Sequence, residues 1–354
     1  MTALDAAVRE PGTARTSPPE ARQVLARCRA LTGPALREAV GRSHPWVAEM
    51  AGYSFGWCEV GGAPAAGSDG KGLRQALAVL GAEAAGAPAR AGVPAAVAVE
   101  LVHAFSLLHD DVMDGDPVRR GRATVWKAYG TGAAVLAGDA LFALAVETLA
   151  RRPLPAGAEA VRMLSGALGD LVRGQADDLL FADRPWTGPE RVRPRAYRAM
   201  AEGKTGALLG CAAALGAVLG GAPAATAAAL DRAGRHLGVA FQVVDDVLGL
   251  WGDPSVTGKP VHGDLREGKK TFPVLAALDS PDPAARRLAA LLERGGDPVE
   301  AAGLVEAAGG RAAALAEADR QLAAAGTALT AAPLAPGAVR ELRALAGFAV
   351  RRDL

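Results

Sequence analysis

Three observations predict an all-α fold for this chain of 354 residues. Alanine and leucine dominate its composition and both favour helices, whereas aromatic residues make up only 4%. Apolar residues recur at helical spacing over long segments, and no β-type alternation of useful length is visible. Gly and Pro clusters divide these segments into helix-sized pieces. We therefore predict a helical bundle.

Composition and charge exclude several classes of protein. The formal net charge is +1, so there is no electrostatic argument for nucleic acid binding. Cys28, Cys58 and Cys211 are scattered without metal-type spacing, which is typical of reduced thiols in a cytoplasmic protein. The uncharged stretch 206–230 is long enough to span a bilayer. A Gly-Gly-Ala-Pro break at 220–223 instead predicts two buried helices and no membrane span.

The N-terminal region leads into the first helices. Residues 1–20 contain three prolines and no long apolar run, which predicts a disordered leader, so residues 21–354 would form a single domain. A helix is expected over 21–40, and Gly33-Pro34 is a candidate point for a break in it. The aromatic-rich segment 44–62 is interpreted as a packing layer over the bundle.

The remaining helices follow from apolar periodicity and from Gly and Pro signals. The segment 195–219 is expected to bend at its EGKTG sequence, residues 202–206. The predicted helices cover 73–85, 95–114, 132–150, 158–181, 195–219, 226–251, 273–278, 283–294, 298–308, 311–329 and 336–352.

An acidic motif ends the helix predicted over 95–114. Asp110 and Asp114 are four residues apart and share one helical face. Their carboxylates repel each other unless a cation lies between them, and Mg2+ takes few protein oxygens while sharing water and substrate phosphates. Arg119 and Arg120 follow with fork-shaped donors that suit phosphate. The motif predicts a metal-bridged diphosphate site, although a solvated acidic helix end has the same pattern.

A second acidic pair strengthens that prediction. Asp245 and Asp246 lie near the end of another apolar helix, with Gln242 one turn earlier. Lys204, flanked by glycines within an apolar helix, indicates a polar cavity. We expect the two acidic motifs to face each other and hold Mg2+, with Lys204 and Lys259 neutralising a diphosphate.

A weaker signal lies at the start of the helix over 73–85. Lys71 and Arg74 flank its N-terminus, where backbone N–H groups and the helix dipole favour an anion. A phosphate site is predicted there, although a loop lysine is more often simply solvated.

Over about residues 66–273 the ordered motifs resemble those of the trans-type polyprenyl diphosphate synthases, in particular the short-chain geranylgeranyl and farnesyl diphosphate synthases. The matching motifs are LHDDVMD (108–114) with RRG (119–121), GQ (174–175), GKTG (203–206), FQVVDD (241–246), GK (258–259) and DLREGK (264–269). The resemblance implies the all-α isoprenoid synthase bundle with a central active-site cavity, usually a homodimer.

The resemblance also implies an activity and roles for individual residues. It implies an Mg2+-dependent prenyltransferase that condenses isopentenyl diphosphate with dimethylallyl, geranyl or farnesyl diphosphate. The implied metal ligands are Asp110, Asp114 and Asp245, supported by Asp111 and Asp246. The residues implied to hold the allylic diphosphate are Arg119, Lys204, Thr205, Gln242, Lys259 and Lys269. Those implied to hold isopentenyl diphosphate are Lys71, Arg74, His103 and Arg120.

Three positions depart from the family pattern. Gly249 stands where the second acidic motif usually has a third Asp, so weaker metal binding is expected. Gly72 replaces a basic residue of the first phosphate motif, and Gln75 replaces its Pro.

Phe105 bears on product length. It lies five residues before Asp110, where a bulky side chain can form the floor of the cavity for the growing tail, and its neighbour Ser106 is small. The pair predicts a short product, geranylgeranyl rather than farnesyl diphosphate. An ordinary core phenylalanine has the same pattern.

Two alternatives share part of these features. A weakly active or non-catalytic partner subunit of a prenyl synthase would explain Gly249 and the altered Lys71 loop. A class I terpene cyclase shares the fold and the first motif, but its second metal site normally centres on Asn, and this chain has none.

Overall fold

A computed structural model describes residues 18–65, 72–252 and 261–351. Most of the predicted leader, Lys71 and Lys259 therefore lie outside the described residues. The helices are α1 (Pro18–Gly41), α2 (Pro45–Ser54), α3 (Leu73–Ala84), α4 (Val93–Met113), α5 (Val125–Tyr129), α6 (Thr131–Ala150), α7 (Ala156–Ala182), α8 (Pro194–Ala201), α9 (Ala207–Leu219), α10 (Ala224–Trp251), α11 (Gly263–Arg266), α12 (Phe272–Leu278), α13 (Pro283–Glu293), α14 (Pro298–Ala307), α15 (Gly310–Ala328) and α16 (Pro336–Arg351).

Short elements punctuate the bundle. A 3₁₀ turn (Ala89–Gly92) precedes α4, and a π-helical turn (Glu202–Gly206) joins α8 to α9. Strands β1 (Val118–Arg119) and β2 (Arg122–Ala123) pair antiparallel between α4 and α5. The predicted all-α class is confirmed within the described residues, where this hairpin of two-residue strands is the only sheet.

Two predictions at the N-terminus need correction. α1 begins at Pro18, so the last three residues assigned to the leader are helical. The candidate break at Gly33-Pro34 is absent, because α1 continues through Pro34. Proline removes one helical hydrogen bond. Buried side chains on both sides of it, including Cys28 and Leu36, hold α1 against the core.

α4 lies at the centre of the bundle. Its N-terminal half, Ala95 to Val102, is apolar and buried except at Glu100, as expected of a core helix. It packs against α6, α3 and α9, while α10 packs against α9 and α15. The segments Ala89–Met113 and Thr131–Ala150 are long and apolar enough to span a membrane, but here they pack against each other within the bundle. The stretch 206–230 forms α9 and α10 with a turn between them, as predicted.

A smaller apolar cluster covers one end of the bundle. Leu288 and Leu291 of α13 pack there with Leu304 and Val305 of α14 and with Val274 of α12. This layer supports α11 and α12, which lie beside the end of α10. Both acidic motifs thus occupy the C-terminal ends of long core helices.

Candidate active site

The acidic motif at the end of α4 is partly buried. Burial raises the pKa of Asp110 to about 6; Asp114 and Asp111 add to the rise, and Lys204 and Arg119 oppose it. Asp111 is buried and accepts a hydrogen bond from Arg119 Nε at 2.6 Å. Asp111 therefore orients an arginine, while Asp110 beside it is half-buried and Asp114 is exposed.

The π-helical turn brings Lys204 and Thr205 between two long helices. Lys204 Nζ donates to Asp178 Oδ2 of α7 at 2.5 Å, and Thr205 Oγ1 donates to Gln242 Oε1 of α10 at 2.8 Å. α7 approaches the turn at Gly174, where a Cβ would lie well inside contact distance of the Lys204 backbone nitrogen. π-helical turns are frequent at functional sites, and this one delivers two polar side chains into an apolar bundle.

Asp246 organises the second acidic motif. Its Oδ2 accepts hydrogen bonds from Tyr197 Oη at 2.5 Å and from the Phe272 backbone N–H at 2.8 Å. Gln242 Nε2 donates to its Oδ1 at 3.3 Å. Burial raises the pKa of Asp246 to about 7, and Asp264 adds to the rise while these three donors oppose it. Asp246 is thus a buried residue whose hydrogen bonds tie α10 to α8 and α12.

Lys269 connects the two acidic regions. Burial would lower the pKa of its ammonium, but the carboxylates of Glu267, Asp264 and Asp114 raise it above the usual value. Its Nζ lies 2.7 Å from Glu267 Oε2. Asp114 follows the last residue of α4 and Asp264 lies in α11, so carboxylates from both regions influence the charge of Lys269.

Arg74 lies deeper in the same region. Burial lowers the pKa of its guanidinium; Arg120 adds to the effect, whereas Glu100 and Asp245 oppose it. Within the described part of the chain, Arg74 Nε is a buried donor without a hydrogen-bond acceptor. Buried donors are normally satisfied, so this one fits an anionic ligand.

His103 joins the arginines. Burial lowers the pKa of its imidazole well below the usual value, and Arg74, Arg120 and Arg119 lower it further. The imidazole is therefore neutral near pH 7. The structure brings together Arg74, His103 and Arg120, three of the four residues predicted to hold isopentenyl diphosphate, while the fourth, Lys71, lies outside the described residues.

Gly72 and Gln75 are the two departures from the family pattern in the first phosphate motif, and the structure shows what each residue contacts. Gly72 has a left-handed backbone (φ +69°), and a Cβ there would lie 2.8 Å from the Cγ of Arg29 on α1. Gln75 accepts a hydrogen bond from Thr32 Oγ1 at 2.6 Å and hydrogen-bonds the buried Glu100. Arg29 thus crosses the space of the missing basic side chain, and Gln75 ties α1 to α4.

The third departure, Gly249, lies against Asp264. A Cβ at position 249 would fall well inside contact distance of Asp264 Oδ2. A carboxylate from α11 therefore occupies the space in which the side chain of the missing third Asp would begin. The second acidic region keeps three carboxylates, Asp245, Asp246 and Asp264.

Phe105 packs between α4 and α6. Its ring meets His109 edge-on at 4.8 Å between centroids and lies 5.7 Å from the ring of Phe142 on α6. Ser106 Oγ donates to the His103 carbonyl at 3.0 Å. The phenylalanine is thus wedged between two helices, one turn from the acidic motif.

The donor set bears on the predicted metal. Across residues 18–65, 72–252 and 261–351, no three His, Cys, Asp or Glu side chains converge closely enough to hold a metal by themselves. Asp110 and Asp114 offer carboxylate oxygens one helical turn apart. Mg2+ ordinarily binds one or two carboxylates together with water and substrate phosphates, so the residues present fit it.

Sequence reasoning missed several residues that build the site. Asp178 was visible only as part of an acidic pair in α7, without a predicted partner. Glu100 interrupts the apolar sequence of α4. A charged residue at such a position could have predicted a polar contact inside the bundle. Tyr197 had no local signal, because its partner Asp246 is 49 residues away.

Comparison with known proteins agrees with this geometry. The family model described as Polyprenyl synthetase matches residues 63–307. A geranylgeranyl diphosphate synthase from Mycobacterium tuberculosis is 46% identical over 338 residues, covering 93% of each chain. A (2E,6E)-farnesyl diphosphate synthase from Mycobacterium bovis is 43% identical over 318 residues, covering 88% of this chain and 86% of its own.

Solved structures share the fold. A polyprenyl synthetase from Streptomyces coelicolor superposes with a TM-score of 0.86 at 46% identity, covering 93% of this chain and 99% of its own. A polyprenyl synthase from Caulobacter crescentus, complexed with calcium and isoprenyl diphosphate, has a TM-score of 0.80 at 28% identity, covering 97% of this chain and 100% of its own.

Proposed function

Because the chain belongs to the polyprenyl synthetase family, we propose that it is a trans-prenyltransferase of isoprenoid biosynthesis. It condenses isopentenyl diphosphate head-to-tail with an allylic diphosphate and releases diphosphate. The observation that carries the proposal is Lys269, which pairs with Glu267 at 2.7 Å and whose pKa, against the effect of burial, is raised further by the charges of Asp264 and Asp114. A cation influenced by carboxylates of both acidic regions suits a metal-bound diphosphate.

We assign Asp110, Asp114 and Asp245 to Mg2+. Burial raises the pKa of both Asp110 and Asp114, so their charges are costly until a cation offsets them. Bound Mg2+ would neutralise the diphosphate and make it a better leaving group. The calcium in the Caulobacter protein supports a divalent cation at this kind of site.

The allylic diphosphate is assigned to the cations around Asp114. Lys204 and Lys269 both oppose the burial-driven rise of the Asp114 pKa, so both charges lie within reach of that carboxylate. The full set proposed for this diphosphate is Arg119, Lys204, Thr205, Gln242, Lys259 and Lys269.

Isopentenyl diphosphate is assigned to Arg74, His103, Arg120 and Lys71. The buried Arg74 Nε supports this assignment, because a phosphate oxygen would supply its missing acceptor. A neutral His103 adds a hydrogen-bonding group without adding charge.

The residues present explain how the reaction would proceed. Lysine and arginine side chains stabilise the leaving diphosphate as its C–O bond breaks, which is when its charge is greatest. The allylic cation forms in an apolar, water-poor cavity. The double bond of isopentenyl diphosphate attacks it, a C–C bond forms, and the released diphosphate accepts the proton lost from the adjacent carbon. No protein nucleophile takes part.

The first test is an elongation assay with Mg2+, isopentenyl diphosphate and each allylic primer in turn. We expect a short polyprenyl diphosphate from the wild type and a loss of turnover of roughly a hundredfold or more in Asp110→Asn. Asp319→Asn, an exposed carboxylate on α15, serves as the matched control and should keep full activity.

The outcome also separates the alternatives. Absence of elongation with every primer would favour a partner subunit of a prenyl synthase. A cyclic hydrocarbon released from a single prenyl diphosphate would identify a terpene cyclase.

We further propose geranylgeranyl diphosphate as the product. Relatives of both product lengths match the chain, so support comes from Phe105, which α6 braces through Phe142. Replacing Phe105 with Ala should lengthen the product by one or more isoprene units, as read by chromatography of the dephosphorylated products. An unchanged product in an active Phe105→Ala variant would contradict Phe105 as the floor.

A homodimer is the assembly we propose. Six large apolar side chains between 37% and 60% exposed lie on the neighbouring helices α6 and α7: Val135, Leu136, Phe142, Val172, Leu179 and Leu180. Exposed apolar surface of this kind is typical of an interface. A twofold contact between identical copies would bury it on both subunits.

A further inference from the structure

The turn that carries Arg119 and Arg120 has little stability of its own. β1 and β2 contain two residues each, with Val118 opposite Ala123 and Arg119 opposite Arg122. An isolated hairpin is at best marginally stable in water. The two connecting residues both have positive φ, 53° at Arg120 and 76° at Gly121, as in a type I′ turn.

The backbone conformation of Arg120 destabilises the hairpin further. A residue other than glycine in the left-handed region is strained, and the strain persists only where surrounding contacts over-determine the backbone. The contacts that hold this hairpin should therefore be strong, and they should come from outside it.

The aromatic-rich segment 44–62 supplies those contacts through Tyr53, which meets Arg122 and Ala123 of β2. Tyr53 Oη donates to the carbonyl of Ala123 at 2.8 Å. In return, Arg122 Nη1 donates to the Tyr53 carbonyl at 3.2 Å, and its guanidinium carbon lies 4.3 Å from the centre of the Tyr53 ring. The hairpin and the segment 44–62 thus each donate a hydrogen bond to the other.

Arg122 also reaches the loop that follows α2. Its Nη2 donates to the Cys58 carbonyl and to Glu59 Oε2, both at 2.9 Å. The loop in turn is tied down by Glu49, which accepts from the Gly61 backbone N–H at 2.8 Å and from Tyr129 Oη at 3.0 Å. The support is therefore a connected network.

We propose that Arg122 is a positioning residue that, with Tyr53, latches the hairpin so that Arg119 and Arg120 meet the diphosphate groups. The inference rests on the proposed function for the ligand that these arginines hold. Arg122 lies opposite Arg119 in the β ladder, so anchoring Arg122 also fixes the backbone of Arg119. The segment 44–62 thereby gains a role beyond packing.

Three variants test the latch. Arg122→Met keeps length and apolar bulk but removes every donor and the charge over the Tyr53 ring. We expect KM for isopentenyl diphosphate to rise roughly tenfold while kcat changes less than about threefold, since binding groups are misplaced but retained. Arg122→Lys restores the cation and should recover part of the loss. Tyr53→Phe keeps the core ring, loses only the hydroxyl bond to Ala123, and should give a smaller rise in KM.

The controls separate the latch from general damage. Arg287→Met removes an exposed arginine from α13 and should leave both constants unchanged. Hydrogen exchange on the substrate-free protein provides a readout independent of activity, and amides over 116–124 should exchange faster in Arg122→Met and Tyr53→Phe than in the wild type.

Each result is decisive. KM and hairpin exchange both within twofold of wild type in Arg122→Met would overturn the latch, as would a fall in kcat at unchanged KM. A wild type that does not elongate any primer would instead overturn the proposed function, and exchange over 116–124 would still test the latch.

Discussion

Position 249 shows how a missing carboxylate can be replaced from elsewhere in the chain. The sequence alone indicates a gap in the second acidic motif at Gly249. In the structure, the carboxylate of Asp264, buried in α11, lies against that glycine. The two residues exclude each other sterically, because an aspartate has a short stem with little room to move away from a new Cβ.

A test at this position follows directly. Gly249→Ala should lower stability by about 1–3 kcal/mol, because its Cβ overlaps Asp264 Oδ2 in a packed site. The matched control is Gly303→Ala in α14, an exposed helical glycine with nothing within 4 Å of its Cβ, which should be slightly stabilising. Thermal unfolding of both variants measures the difference. Equal melting temperatures would contradict the overlap.

Other site residues differ in how far the sequence could predict them. Asp110, Asp114 and Asp245 belong to motifs whose spacing and apolar surroundings are visible locally. The hydrogen bonds that hold Asp246 come from Tyr197 and Phe272, 49 and 26 residues away, and no local pattern encodes those distances. Motif residues were thus predictable, whereas the residues that orient them required the fold.

At the scale of elements, an ion pair ties α8 to α15. Arg198 Nε and Nη2 donate to the two carboxylate oxygens of Glu317 at 2.8 and 3.0 Å, and the glutamate side chain is only 2% exposed. Burial would raise the pKa of Glu317, but hydrogen bonds from Arg198, Gln321 and Arg320 outweigh it and hold the pKa at about 2.

This pair predicts a pH-dependent contribution to stability. The folded pKa lies below the ordinary 4.5, so the ionised form stabilises the fold above that pH and the stabilisation is lost as pH falls toward 2. Glu317→Gln should cost about 2 kcal/mol at pH 7 and clearly less at pH 3, as measured by urea unfolding. Glu306→Gln, an exposed carboxylate on α14, is the control. A pH-independent gap between wild type and Glu317→Gln would contradict the prediction.

The long helices were predictable to within a few residues because each has several turns of apolar periodicity, whereas the short helices α2, α5 and α11 were not predicted. The hairpin between α4 and α5 was not predictable from the sequence, since strands of two residues are too short to show an alternating apolar pattern. The EGKTG sequence was predicted as a bend, but a π-helical turn cannot be told from an ordinary kink by composition.

For the whole molecule, the exposed apolar side chains of α6 and α7 predict an assembly. Light scattering should give about twice the chain mass of 35.8 kDa for the wild type. The double variant Leu136→Lys with Leu180→Lys should run as a monomer, because it places charge in an apolar interface. Val299→Lys, on an exposed site of α14, should stay dimeric. A monomeric wild type would contradict the proposed dimer.

The π-helical turn at Glu202–Gly206 also sets the rotational phase of the helix behind it. Successive residues of an α-helix point about 100° apart, so the extra residue of a π turn rotates everything downstream by that angle. α9 is buried along almost its whole length, with Gly210 against Asp231 and Gly216 against Ala78. A chain one residue shorter in this turn would present those glycines to the wrong neighbours. The five residues that bring Lys204 to Asp178 therefore also align α9 between α3 and α10.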